Sequence, residues 1–422
     1  MARLDGSYDV VIVGLGSMGA AAARTLAVRG LRVLGLETFG PAHDQGSAHG
    51  GTRIVRQSYF EGSAYVPLLR RAYEGWHKLA QESGRDLLRL CGGIYIGDPE
   101  STVFSGSLAS ARVHGLEHEV LDAGEIAARF PTMRPPEHAL GLYEASAGYV
   151  RPEETVLANI DLARRDGADL RFFDPVTHWA PTPGGGVEVV TSRGRYGADR
   201  LVLAPGAWVS TLLPPPVLIT VERQIFYWFE PDFTPKVPYE AYAEGHPVYL
   251  EETDGNGELY GFPMVNGPAG GLKLAYYRQN HGVTTTPQTI DRTVHADEVQ
   301  EMVHRARQLF PDLSGRLVKA PTCMYASAPD GVFVLGLLGG NPPGCADLRL
   351  LRPRVQVRAG GGRNRRRPRP DRDDSARHRD FRHRSTRLHR HVNELIAQLL
   401  PVERVPLCPA VGSWNCHWLA LT

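Results

Sequence analysis

Residues Gly14 to Gly19 read GLGSMG, set between the apolar run Val10-Val11-Ile12-Val13 and the alanines Ala20 to Ala23, and Glu37 closes a second, largely apolar run from Leu31 to Leu36. This spacing suits the holding of a dinucleotide. Gly14 permits a sharp turn, Gly16 lets backbone N–H groups approach a pyrophosphate, and Gly19 lets helix and strand pack closely. Ser17 and Met18 complete the turn, and the helix N-terminus behind it supplies partial positive charge to the phosphates. Glu37 stands where a ribose hydroxyl would be gripped. Strand, turn, helix, second strand and acid, in that order, predict a site for an ADP-containing dinucleotide.

Other residues with chemical potential are spread along the chain. Pro41 to Arg56 (PAHDQGSAHGGTRIVR) is a polar, glycine-rich loop with two histidines and two arginines beside the nucleotide turn, and loops of that kind carry function more often than packing. A buried strand, Leu201 to Leu203, ends at Ala204-Pro205-Gly206-Ala207-Trp208. That segment reads either as a second nucleotide-contacting turn or as a plain strand–turn–helix. Lys273, between Leu272 and Leu274, reads as a solvated strand lysine or as a site residue. Cys323, taken alone, reads as a small buried hydrophobe.

Composition narrows the class. The chain has 422 residues and is 42% hydrophobic, enough for two domains with cores of their own. No apolar run approaches the roughly eighteen residues of a membrane span, and Met1 leads almost directly into the first strand, leaving no room for a signal peptide. Five cysteines (Cys91, Cys323, Cys345, Cys408, Cys416) show neither CxxC nor metal spacing. No metal site is expected, and a reducing cytoplasmic compartment is. The net charge of +1 hides a split, because from Gly336 to Thr422 there are 17 arginines and no lysine against 7 acidic residues. The rest of the chain is acidic.

The elements that would position these residues follow from periodicity. Helices are expected over Tyr65 to Gln81, Ser101 to His114, Glu154 to Asp166 and Asp297 to Phe310. Strands are expected over Gly92 to Gly97, Leu170 to Phe173, Val187 to Thr191 and Val332 to Leu335. Val217 to Trp228, Val248 to Glu252, Glu258 to Phe262 and Leu272 to Tyr277 read as an antiparallel sheet inserted in the α/β domain, a usual way to build a pocket between domains.

Taken together, GLGSMG, GSAHGGTRIVR, YVPLLRRA (Tyr65 to Ala72), APGAW, YGFP (Tyr260 to Pro263), GLK (Gly271 to Lys273) and CMYASAPD (Cys323 to Asp330) resemble the monomeric sarcosine oxidase family, which includes N-methyltryptophan and pipecolate oxidases. The matching residues run from Tyr8 to about Leu335. The resemblance implies an α/β fold: a Rossmann-like FAD-binding domain (1–85, 146–215 and 320–335) with an inserted antiparallel-sheet substrate domain (86–145 and 216–319). It implies FAD joined to Cys323 by a thioether, a secondary amino acid as substrate, and dioxygen as the final acceptor, giving peroxide. A thiolate that adds to a flavin methyl needs a lowered pKa or a nearby cation, and Arg53 is placed to supply the cation. Lys273 matches the lysine that activates dioxygen, where a fixed ammonium stabilises developing superoxide. Arg56 matches the arginine that holds the substrate carboxylate, and Tyr260 and Tyr325 match the pocket-lining tyrosines. His49, Thr52, Val176, Gly206 and Trp208 join the cofactor-binding set. Tyr277 stands where the family usually has histidine, which leaves the exact amine open. A monomer without specific nucleic-acid or membrane partners is expected. A dehydrogenase passing electrons to another acceptor keeps the same fold.

After Leu335 the resemblance fails. The family continues with a strand, a Gly-Phe-Ser-Gly-His-Gly-Phe-Lys turn and an apolar helix. Here the chain reads LRLLRPRVQVRAGGGRNRRRPRPDRDD, with no helical or strand periodicity. Such a basic segment reads as a polyanion-binding surface, as a disordered extension, or as a shifted reading frame. Permissible codons for Arg349 to Val357, read one nucleotide later, spell Gly-Phe-Ser-Gly-His-Gly-Phe-Lys-Phe, which favours a frame shift over 336–422 that begins between Gly336 and Leu348. Gln356 would then replace a lysine clamp, and a chain so altered is expected to hold FAD poorly and turn over slowly.

Overall fold

Val10 to Val13 are buried on both faces, as a central parallel strand must be. In the computed structural model, which describes residues 7–183, 185–213, 219–253, 257–278, 283–328, 333–337 and 348–351, the strand Ser7–Val13 pairs in parallel with Val33–Leu36 on one side and Arg195–Leu203 on the other. The helix Ser17–Val28 between the first two strands buries Ala20, Ala21, Ala23 and Ala27, small side chains that let it lie close on the sheet. The sheet continues through Val187–Thr191 and Val176–Pro181 at one end and Asp169–Arg171 at the other.

A second sheet supplies the roof. Its order is Leu313–Lys319, Tyr227–Pro231, Leu272–Arg278, Glu258–Gly261, Val248–Glu252, Gly93–Gly97, Leu140–Glu144, Glu119–Asp122. One face packs against the helix Ala296–Leu309 through Met302, Ala306 and Leu309, tied down by the buried pair Arg305–Glu251. The other face carries Tyr260, Phe262 and Tyr277 in a cluster with Cys323 and Tyr325. Among the described residues two three-stranded sheets complete the fold, one of them joining Thr220–Ile225 to Val283–Thr285 and Thr322–Ser327.

Several expectations are corrected. Val217 to Trp228 is not one strand: Phe226 leaves the ladder, giving its N–H to the Pro321 carbonyl at 3.1 Å, so that Thr220–Ile225 and Tyr227–Pro231 serve different sheets. The inserted sheet is mixed rather than purely antiparallel, because Val248–Glu252 runs parallel to Gly93–Gly97. The strand Asp169–Arg171 stops short of Phe173, whose φ of 55° ends it. Leu348–Leu351, within the segment that shows no strand periodicity, adds in parallel to Arg195–Leu203 at Leu201↔Leu348, and Leu335–Leu337 pairs antiparallel with it. Three leucines in four residues suffice for a short strand, and the surrounding arginines obscured them. Val332, Pro329, Asp330, Gln356 and the arginine-rich segment from Arg352 onward lie outside the described residues. No helix among the described residues is long and apolar enough to cross a membrane, and no cluster of potential metal ligands occurs among them.

Candidate active site

The nucleotide turn is built as its glycines require. Gly14 has φ +90°, and a Cβ there would lie 2.4 Å from the Ala204 carbonyl oxygen; a Cβ on Gly19 would lie 1.8 Å from the Gly14 carbonyl oxygen. Gly16 differs, since an added Cβ would meet nothing within 4 Å among the described residues. Its surface is open, as a pyrophosphate-facing position must be. Ser17 and Met18 form the first turn of the helix beyond it. Glu37 is buried, and its carboxylate accepts the N–H groups of Leu15 at 2.7 Å and Phe39 at 3.0 Å. Burial pushes this carboxyl up, but hydrogen bonding from His43 and from the Leu15 N–H outweighs it and holds the group below the usual range. Trp208 closes the same end, 5.6 Å from the Phe39 ring. Gly206 (φ +54°) is open on its Cβ side, and Val176 packs on the core of the first sheet.

A second group gathers around Phe226, the residue between the strands Thr220–Ile225 and Tyr227–Pro231. The His49 ring meets it edge-on at 5.7 Å, the Arg53 guanidinium lies 4.6 Å from its centre, and the Lys273 ammonium lies 4.8 Å away. Arg53 donates to the carbonyls of Thr52 and Ser47, both at 2.8 Å, while the Ser47 hydroxyl donates to the Met324 carbonyl at 2.7 Å. The loop is thereby fastened to the strand that bears Cys323. Lys273 Nζ donates to the Gly50 carbonyl at 2.6 Å, the Thr52 carbonyl at 2.9 Å and Thr52 Oγ1 at 3.0 Å. Burial, then the Arg53 charge, hold Lys273 well below the ordinary lysine value, and the same two causes push His49 down to about 3. A cavity of about 330 Å³ opens here, lined by His49, Thr52, Glu153, Trp228, Lys273 and Lys319 among others.

Cys323 is fully buried, with Sγ 3.9 Å from the Gly46 carbonyl oxygen. Sequence chemistry asked for a lowered thiol pKa or a cation. In the structure burial pushes the thiol up, with Arg53 the largest charge opposing that rise. Beside it the hydroxyls of Tyr260 and Tyr325 lie 3.1 Å apart, and burial raises both phenols, so the pair stays neutral.

Arg56 belongs to neither group. It is 1% exposed, its Nη2 donating to both Glu61 carboxylate oxygens at 2.7 and 2.8 Å, with Tyr59 and Phe60 rings 4.3 and 4.6 Å from its guanidinium carbon. Burial opposes its charge, but the adjacent Glu61 carboxylate outweighs that and raises it above its ordinary value. Tyr277 donates to the same Glu61 at 3.0 Å. The expected carboxylate clamp thus already holds a carboxylate of the chain. Sequence reading missed Glu61, although an acid in the aromatic stretch SYFEG, five residues past Arg56, was a visible signal. Glu61→Gln removes the countercharge of a buried guanidinium and should lower stability by about 3–5 kcal/mol. Urea unfolding should show it as a lower midpoint at an unchanged slope.

These residues fit FAD: a tight glycine turn with one open glycine, a buried acid beyond it, His49, whose Nε2 is buried with no hydrogen-bond partner among the described residues, and a buried thiol beside an arginine. The family model described as FAD dependent oxidoreductase matches residues 9–364, running past Leu335. The chain is 48% identical over 342 residues to the monomeric sarcosine oxidase of Streptomyces avermitilis, covering 80% of this chain and 86% of that one. It is 32% identical over 337 residues to the N-methyl-L-tryptophan oxidase of Yersinia pestis, covering 78% and 86% respectively. The fold matches the open form of NikD, an amino acid oxidase of nikkomycin biosynthesis, with a TM-score of 0.70 at 24% identity over 82% of this chain and 88% of that one. The chain belongs to the FAD-dependent oxidoreductase family, alongside monomeric sarcosine oxidase and N-methyl-L-tryptophan oxidase.

Proposed function

We propose that this chain oxidises a small secondary amino acid, sarcosine or another N-methyl amino acid, using FAD attached at Cys323 and dioxygen as the final acceptor. The observation that carries the reading is the convergence of Lys273, Arg53 and the Cys323 strand on one loop, beside the neutral Tyr260–Tyr325 pair. FAD, when bound, supplies a two-electron acceptor for the hydride leaving the carbon next to nitrogen. The turn from Gly14 to Gly19 would take its pyrophosphate, Glu37 its ribose, and Cys323 its ring.

The chain's own residues do the rest. Tyr260 and Tyr325 offer apolar walls with hydroxyl tips, which desolvate the amine and favour its neutral form. Arg56 is the candidate to receive the substrate carboxylate in exchange for Glu61, a swap that keeps the guanidinium paired, leaves Glu61 with the Tyr277 hydroxyl, and requires the displaced Glu61 carboxyl to take up a proton if it stays buried. Lys273 holds a proton at Nζ where negative charge develops on oxygen. The imine product then meets water and hydrolyses, or persists if cyclic. An acidic body, scattered cysteines and the likeness to a monomeric sarcosine oxidase support a cytoplasmic monomer.

Oxygen uptake and peroxide formation with sarcosine, N-methyl-L-tryptophan and pipecolate test the function. Uptake with at least one of these amines is expected. Reduction of an artificial acceptor without oxygen uptake would instead make the chain a dehydrogenase.

We also infer that the arginine-rich segment arises from a shifted frame beginning between Gly336 and Leu348, and that the chain as written carries less than a full complement of flavin. Resequencing the gene decides it. A single uninterrupted frame, matched by peptides of the native protein, would overturn the inference.

A further inference from the structure

We propose that Glu153 is a positioning residue for Lys273, fixing the Gly50–Gly51 peptide so that its carbonyl grips the ammonium; the proposal rests on the oxidase reading above. Glu153 lies in the first turn of the helix Pro152–Arg165. Its carboxylate accepts the Gly50 N–H at 2.6 Å and the Gly51 N–H at 3.0 and 3.1 Å. Two successive N–H groups converge on one carboxylate, and both glycines take positive φ, 98° and 78°, a backbone that residues bearing a Cβ rarely adopt.

One peptide unit therefore joins two charges. The N–H of Gly51 points to Glu153, and the carbonyl of the same unit, on Gly50, accepts from Lys273 at 2.6 Å. A carboxylate at one end and an ammonium at the other polarise the amide in the same sense, strengthening both bonds. All three donors of Lys273 are spent on this loop, two of them on carbonyls. A loop that relaxes takes those acceptors away from a lysine that is only 3% exposed.

The surrounding charges make the dependence sharper. Arg53 on the loop and Lys319 on the strand Leu313–Lys319 disfavour the ammonium, whereas Glu153 and Cys323 favour it, Glu153 foremost. His49 and Asp44 also line the cavity, and burial keeps His49 neutral near pH 7. Without the Glu153 carboxylate, Lys273 gives up its proton at a lower pH, and its loop loses the tether that aims the carbonyls.

The test uses the full FAD-loaded chain, reduced anaerobically and mixed with dioxygen across a pH series. Glu153→Gln should slow flavin reoxidation about tenfold near neutral pH, the scale of one charge-assisted hydrogen bond, and move its falling alkaline limb to lower pH. Reduction by the amine should stay within about twofold of the unsubstituted chain, a difference too small to count as a lost hydrogen bond. Glu153→Asp, which keeps the charge, should return the limb toward its original position. A merely structural role would lower stability without moving that limb. On the flavin-free chain, thermal unfolding of Glu153→Gln, Lys273→Met and the double variant should be non-additive, as for groups sharing one peptide. If Lys273→Met reoxidises slowly while Glu153→Gln behaves like the unsubstituted chain, or if the unfolding effects simply add, the positioning role is overturned. If Lys273→Met itself reoxidises normally, the oxidase role of Lys273 fails first.

Discussion

Lys273→Met should slow reoxidation of the reduced flavin by about two to three orders of magnitude, the scale of losing one preorganised electrostatic group beside a developing oxyanion. Reduction by the amine should barely change. The expectation follows from where the ammonium sits: 3% exposed, ringed by Phe226, Phe262 and Trp228 at 4.5–5.2 Å, and held by three acceptors of one loop. A positive charge in so dry a site acts on developing negative charge far more strongly than it would in water. Burial holds Lys273 below the ordinary value of 10.5. Reoxidation should therefore fall with rising pH before that value is reached, and the fall should vanish in Lys273→Met. Linkage gives a second readout. Between the folded and ordinary values the unfolded chain binds more protons at this position, so stability rises with pH across that window. Lys273→Met should flatten the rise. Equal reoxidation rates in the two proteins, measured by stopped flow, would remove Lys273 from the oxygen reaction.

Gly19→Ala should abolish useful flavin binding, weakening it by about a hundredfold or more, the upper end of what overpacking costs. The added Cβ would lie 1.8 Å from the Gly14 carbonyl oxygen and 2.8 Å from its carbon. Those are backbone atoms of the turn itself, with no flexible side chain to move aside. Gly16→Ala is the informative partner. Its Cβ meets no atom of the described residues within 4 Å, and its φ of −68° is one that alanine adopts freely. The flavin-free chain should then unfold at its original temperature while FAD binding still weakens, because the methyl occupies space needed by the pyrophosphate. Flavin-to-protein ratios and thermal unfolding of both variants check this. Equal flavin content in Gly16→Ala and the unsubstituted chain would place the pyrophosphate elsewhere.

What could be read from the chain before folding was largely local. The strand–turn–helix around GLGSMG announces itself because glycine stereochemistry and apolar periodicity act over a few residues, and Ser7–Val13, Ser17–Val28 and Val33–Leu36 stand where that logic puts them. Features set by distant pairing were hidden. Phe226 interrupts a run that is β-prone throughout, and only the Pro321 carbonyl opposite it shows why the chain changes sheets there. The parallel pairing of Gly93–Gly97 with Val248–Glu252 joins segments some 150 residues apart, beyond the reach of any periodicity. Glu153 was equally invisible, since an acid in the first turn of a helix is ordinary capping chemistry until Gly50 and Gly51 are seen to face it. Leu348–Leu351 was obscured by its arginine neighbours. For Arg56 the sequence named the residue but not its partner, the Glu61 carboxylate that already occupies its guanidinium.

Attachment of flavin at Cys323 is tested most directly on a denaturing gel, acid-treated and viewed under ultraviolet light, with the unsubstituted chain beside Cys323→Ser. Yellow-green fluorescence should travel with the unsubstituted chain, faint if the flavin complement is incomplete, and be absent from the Cys323→Ser band. A dark band from folded, flavin-supplemented unsubstituted chain, or fluorescence that persists in Cys323→Ser, would contradict it.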